Sequence, residues 1–140
     1  MNSQRTDASP NPRKDQTMST TTDNAPGLRE FTNAYIEAML WASSDDDGEP
    51  MDSRYDGTDL SGEAKSRIEH DCAEFLLANR ERIGSRYEQA GHDFWLTRNR
   101  HGAGFWDGDW PEHGDILTKV AHGYGETDLY VGDDGKLYLN

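Results

Sequence analysis

Residues 91–110 read GHDFWLTRNRHGAGFWDGDW and crowd Phe94, Trp95, Phe105, Trp106 and Trp110 among histidines, aspartates and glycines. Only 33% of the chain is apolar, so a core has little to spare and part of the length must be loop or disordered. Where they point therefore constrains the architecture more than any other feature. In DFW and GFW, successive large side chains alternate between opposite faces of an extended chain. The stretch reads as a strand over DFWLTRN, a turn at RHG and a return strand over AGFWD. That pairing turns Phe94 and Phe105 inward. It sets Trp95 and Trp106 side by side on the other face, with Trp110 nearby, either covered by loops or the tail or bare as an aromatic platform for a partner.

The flanking segments supply helices. PGLREFTNAYIEAMLWA, residues 26–42, repeats its apolar residues at a helical period through Leu28, Phe31, Tyr35, Ala38, Met39 and Ala42. Asn24 is placed to cap it and Pro26 suits its first turn. Ile36, Leu40 and Trp41 widen the apolar surface, which implies burial on more than one side or a surface for a partner. A second helix starts near Ser61, with Ala64, Ile68, Cys72, Phe75, Leu76, Asn79 and Ile83 as its inner stripe and Gly84 as its break. PEHGDILTKVAHGYG reads as a third helix with Ile116, Leu117, Val120 and Tyr124 on one face. DLYV-GDDG-KLYL, at the C-terminal end, is the clearest hairpin signal. The expected fold class is α+β: two to three helices packed on one face of a small antiparallel sheet built from two β-hairpins. The expected organisation is a disordered tail over residues 1–25, then a single domain over 26–140 with an acidic loop at 43–60.

The net charge is −13, and two blocks carry the excess. Residues 44–63 hold eight acids against Arg54, and residues 101–140 hold eight against Lys119 and Lys136. Such a surface repels nucleic acid and membranes and attracts a basic partner, including one whose own ligand is DNA or RNA. The acidic surface expected to matter comprises Asp45, Asp46, Asp47, Asp109, Asp115, Asp133 and Asp134. Carboxylates held on rigid elements at phosphate-like spacings imitate a nucleic-acid backbone. The 107–134 acids suit that better than the loop-borne 45–59 block. No run of apolar residues is long enough for a membrane span, and the N-terminus lacks the apolar region of a signal peptide. A single cysteine, Cys72, excludes an internal disulfide framework. A cytoplasmic protein is the expectation.

Chemical motifs are few. His92, His101, His113 and His122 with Asp107, Asp109 and Asp115 are suitable metal ligands by type, but their spacings fit no zinc signature. Counting from Asp107, a calcium loop would need its Gly at 112 and its last carboxylate at 118, which are Glu112 and Thr118. No metal and no other cofactor is expected. His92 and Asp107 would meet at the open end of the expected hairpin, a His–Asp pair with no evident nucleophile. Cys72 sits on an inner helical stripe, where a thiol is structural. GYGETD and HGAG lack the lysine and the strand-to-helix setting of a phosphate loop. No catalytic residue is assigned.

QAGHDFWLTRNRHGAGFWD, a helix ending in YG, and DLYVGDDGKLY together resemble a group of small acidic proteins of phage and prophage genomes. AYIEAMLWASSDDDGEPMD resembles the N-terminal part of the same group. The likeness spans most of residues 31–138 and departs after Asp107, where GDWPEHGD stands. It implies a non-structural accessory protein acting in the cytoplasm of a bacterial host. The expected function is non-catalytic: binding of a host or phage protein, with imitation of a nucleic-acid backbone toward a basic partner as one means. Direct binding to nucleic acid or membrane is not expected. From the residues themselves, independently of the likeness, the expected binding residues are Trp95, Arg98, His101, Trp106 and Asp107. The alternative is a small-ligand or metal-binding domain, or a minor enzyme, built at the hairpin mouth around His92, His101 and Asp107.

Overall fold

The computed structural model describes residues 25–140, so the tail expected over residues 1–25 lies outside the described residues but for Ala25. Five helices and one hairpin follow: α1 (Leu28–Ala42), α2 (Gly62–Ala78), α3 (Arg80–Ile83), α4 (Tyr87–Arg98), α5 (Gly114–His122), β1 (Leu129–Val131) and β2 (Leu137–Leu139). The loop over 43–60 holds two short 3-10 turns, Met51–Ser53 and Gly57–Asp59.

This corrects the expected architecture. The described residues contain a single two-stranded antiparallel sheet, β1–β2, and the segment read as a first hairpin is a helix followed by a loop. The protein is a packed set of helices with one small hairpin at its edge. The reason lies in α4. Its buried residues Ala90, Gly91, Phe94, Trp95, Thr97 and Arg98 recur at three- and four-residue spacings, the signature of a helix face. The β propensity of Phe, Trp and Thr disguises that period, because such propensity reports fit to a half-buried surface more than a backbone preference.

The two flanking helices form as their patterns require. α1 starts at Leu28 after Gly27, whose φ of 78° places it in the left-handed region. The N-cap position therefore falls to Gly27, and Asn24 lies outside the described residues. α1 buries Leu28, Phe31, Ala34, Tyr35, Ala38, Met39 and Leu40. Trp41, on its far side, is 66% exposed. α2 is capped by Ser61, whose hydroxyl accepts from Ala64 N at 3.1 Å. Asn79 ends it, donating from its side chain to Phe75 O. α1 packs on both α2 and α4, and α2 packs on β2.

The core is aromatic. Phe75 of α2 stacks on Phe94 of α4 with ring centroids 4.1 Å apart, and on Phe105 at 5.7 Å. Phe31 of α1 lies against both Phe75 and Phe94. Rings of this size bury enough area to offset a low apolar content. In the hairpin, Leu129, Tyr130 and Val131 face Leu139, Tyr138 and Leu137 respectively. Leu129 and Leu137 turn into the core while Tyr130 is exposed.

Candidate functional site

α4 is the scaffold from which the aromatic stretch is presented. Gly91 lies in its interior, where glycine ordinarily weakens a helix. The reason is contact: a Cβ there would overlap the carbonyl oxygen of Phe31. Glycine thus lets the backbones of α1 and α4 approach closely. That approach buries Phe94 and Trp95 and removes them from any binding surface. Trp95 is 2% exposed and meets Tyr35 edge to face. Its Nε1 is buried with no hydrogen-bond partner among the described residues.

Arg98, at the end of α4, is also buried, at 2% exposure. Its Nε donates to Gly125 O at 2.9 Å and its other nitrogens to Tyr124 O, the Tyr35 hydroxyl and the Asp71 carboxylate. Asp71 supplies the compensating charge at 2.9 Å. Burial pushes the Tyr35 hydroxyl up, which keeps it neutral beside the guanidinium. Arg98 therefore ties α1, α2 and α4 to the chain leaving α5. A guanidinium so fully used is structural rather than offered to a partner. Cys72 is buried nearby, and burial pushes its thiol well up, so it is not a nucleophile.

After Asn99 the chain turns out and comes back. Thr97 Oγ1 accepts from Phe105 N at 3.0 Å, and a Cβ on Gly104 would overlap that hydroxyl. The contact drives Phe105 into the core. Trp110 follows it in, meeting Phe105 edge to face, with the Arg86 guanidinium 4.0 Å over its ring. Its Nε1 donates to Asp93 Oδ2 at 2.8 Å. Between these two anchored rings Trp106 points outward, 52% exposed. Asp107 is exposed beside it and accepts from Gly104 N. Asp109 is exposed too, and its carboxylate accepts from Gln89.

Asp93 is the perturbed acid of this region. Burial pushes its carboxyl up to about 6, against the Trp110 hydrogen bond, with Asp107 and Asp109 adding repulsion and His92 opposing it. His92, half-buried on α4, lies 2.8 Å from Glu37 of α1.

The structure thus separates the residues that the sequence groups. Trp95 and Arg98 are interior, while Trp106, Asp107 and His101 are on the surface. The hairpin mouth expected around His92, His101 and Asp107 does not exist, because His92 lies on a helix and the other two on the following loop. Among the described residues no three His, Cys, Asp or Glu side chains are grouped to hold a metal ion.

The acids divide likewise. The Asp45 side chain is turned into its own loop, accepting from Asp47 N and Glu49 N and pairing with Arg54. Asp46, Asp47, Asp115, Asp133 and Asp134 are exposed. Asp115 lies in the first turn of α5, where it complements the helix dipole. Asp133 and Asp134 form the turn of the hairpin. Sequence reasoning passed over Tyr130 and Tyr138, which stack at 5.8 Å on the open face of that hairpin. Their signal was present: in LYV and LYL each tyrosine alternates with an inward leucine. Comparison with protein families, with curated proteins and with solved structures finds no match to this chain.

Proposed function

We propose that this protein is a non-catalytic, phage-type accessory protein that binds a basic host or phage protein through the loop carrying Trp106. The observation that supports the reading most is the orientation of Trp106. Its neighbours Phe105 and Trp110 are anchored in the core, yet Trp106 is held half exposed between them. A large ring kept in water by a loop pinned on both sides is suited to insert into a partner's pocket, the role tryptophan fills at interface hot spots. Asp107, Asp109, Glu112 and Asp115 follow it closely in sequence, all exposed. An acidic rim favours a basic partner and speeds encounter with it. A nucleic-acid-binding protein fits that description, and the resemblance to phage proteins favours an encounter inside a bacterial host.

The test is capture from bacterial lysate with full-length protein and with Trp106→Ala, followed by mass spectrometry. Basic proteins enriched on the parent chain, released by salt and reduced about tenfold or more on the variant are the expected result. Equal capture by both chains, or capture indifferent to salt, overturns the reading. Trp106 is on the surface, so circular dichroism of the variant is expected to match the parent.

A further inference from the structure

Among the described residues, the hairpin has one unpaired edge. Gly132 N donates to Lys136 O and Asn140 N to Asp128 O. With the observed register, this alternation makes Tyr130 and Tyr138 the hydrogen-bonded pair between them. The backbone groups of Leu129 and Val131 therefore point away from β2. The outer side of β2 is used: Leu137 bridges Leu60, and Ser61 N donates to Leu137 O at 2.8 Å. Among the described residues nothing pairs with the outer side of β1.

The exposed face beside that edge is fixed in shape. The Tyr138 ring leans over Gly132, where a Cβ would overlap it. Its hydroxyl donates to Asp134 Oδ2 at 2.7 Å. Tyr130, 45% exposed, stacks against it. The two rings, Asp133 and Asp134 border an open depression of about 600 Å³. Glu63, in the first turn of α2, comes two residues after Ser61, whose backbone N donates to Leu137 O next to Tyr138, which brings a further carboxylate to this end of the hairpin. Lys136 is the one base in this hairpin, so the face is net acidic.

We propose that β1 is the docking edge for an extended segment of a partner protein in which arginine or lysine alternates with small or apolar residues. The segment adds a third strand, donating to and accepting from the outward backbone groups of Leu129 and Val131. Its period of two then places every second side chain over the tyrosine face. Cations fit there for two reasons: the rings present π faces, and Asp133, Asp134 and Glu63 supply negative charge. A second copy of this chain is a poor occupant of the same edge. It would set one acidic turn region against another, in molecules that each carry −13. The residues bordering this depression include none from the Trp106 loop, and its test stands apart from that reading.

The probe is a short acetylated and amidated peptide of alternating arginine and threonine, titrated into the full chain and followed by amide NMR. Shifts are expected at residues 128–138, with slowed hydrogen exchange at the Leu129 and Val131 amides. N-methylation of alternate peptide amides is expected to abolish both effects. Replacing arginine by citrulline, or combining Asp133→Asn with Glu63→Gln in the protein, is expected to weaken binding about tenfold. Trp106→Ala is expected to leave the titration unchanged. The proposal is overturned if the citrulline peptide binds as well, if N-methylation has no effect, or if the shifts fall elsewhere. It is also overturned if the Leu129 and Val131 amides respond to protein concentration alone, since the occupant is then a second copy.

Discussion

Asp93 shows how one buried side chain sets a pH dependence. It is 7% exposed, bonded to Trp110, and raised from 3.8 to about 6 chiefly by burial. A carboxyl whose folded value lies above its unfolded value favours folding most when protonated. Its contribution is complete below about pH 4 and is lost as the pH rises through about 6. Asp93→Asn keeps an oxygen to accept from Trp110 and removes the charge. At about pH 7.5 the variant is expected to be more stable than the parent, by at most about 3 kcal/mol for a shift of this size. The difference is expected to shrink toward zero at about pH 4. Urea denaturation across that range measures it, and a difference independent of pH would refute the assignment.

At the scale of the element, α4 poses a contest between propensity and packing. Gly91→Ala raises helix propensity by about 1 kcal/mol. It also drives a methyl into the Phe31 carbonyl, and backbone cannot yield as a flexible side chain does. Overpacking of this kind costs about 1–3 kcal/mol or more, so net destabilisation is expected. A thermal melt of Gly91→Ala above that of the parent would show that α1 and α4 are not so closely apposed. The same element explains a misreading. GHDFWLTRN presents a glycine, two aromatic residues and a threonine, which suggest turn and strand when taken locally. The helix is stabilised by residues far off in sequence: Phe31 and Tyr35 on α1, Phe75 and Asp71 on α2. Ser61 and the inner stripe of α2 were legible because cap and period are local signals.

Across the whole molecule, charge is the dominant long-range term. With −13 on one chain, self-repulsion opposes the compact state and is screened by salt. The melting temperature is expected to rise by several degrees (about 1 kcal/mol for a domain this size) between low and moderate concentrations of sodium chloride. A flat or falling response would show that the acids are already paired locally, as Asp45 is with Arg54. No described helix is long and apolar enough to cross a membrane.

Local order could be read from residues alone: the period of α1 and α2, the Ser61 cap, the burial of Cys72, the GDDG turn between β1 and β2, and the sign of the surface. These depend on neighbours a few positions away. The fate of each large ring did not. Trp95 and Trp106 look alike in DFW and GFW, yet one is interior and the other exposed. The difference arises because α4 packs on α1 through Gly91 and because Thr97 draws Phe105 inward. Arg98, expected among the binding residues, is instead interior, because packing brings Asp71 and Tyr35 beside it. Its role, the unpaired edge of β1 among the described residues and the outward turn of Trp106 were decided by which backbones approach closely, a property of the packed chain that no short window of residues contains.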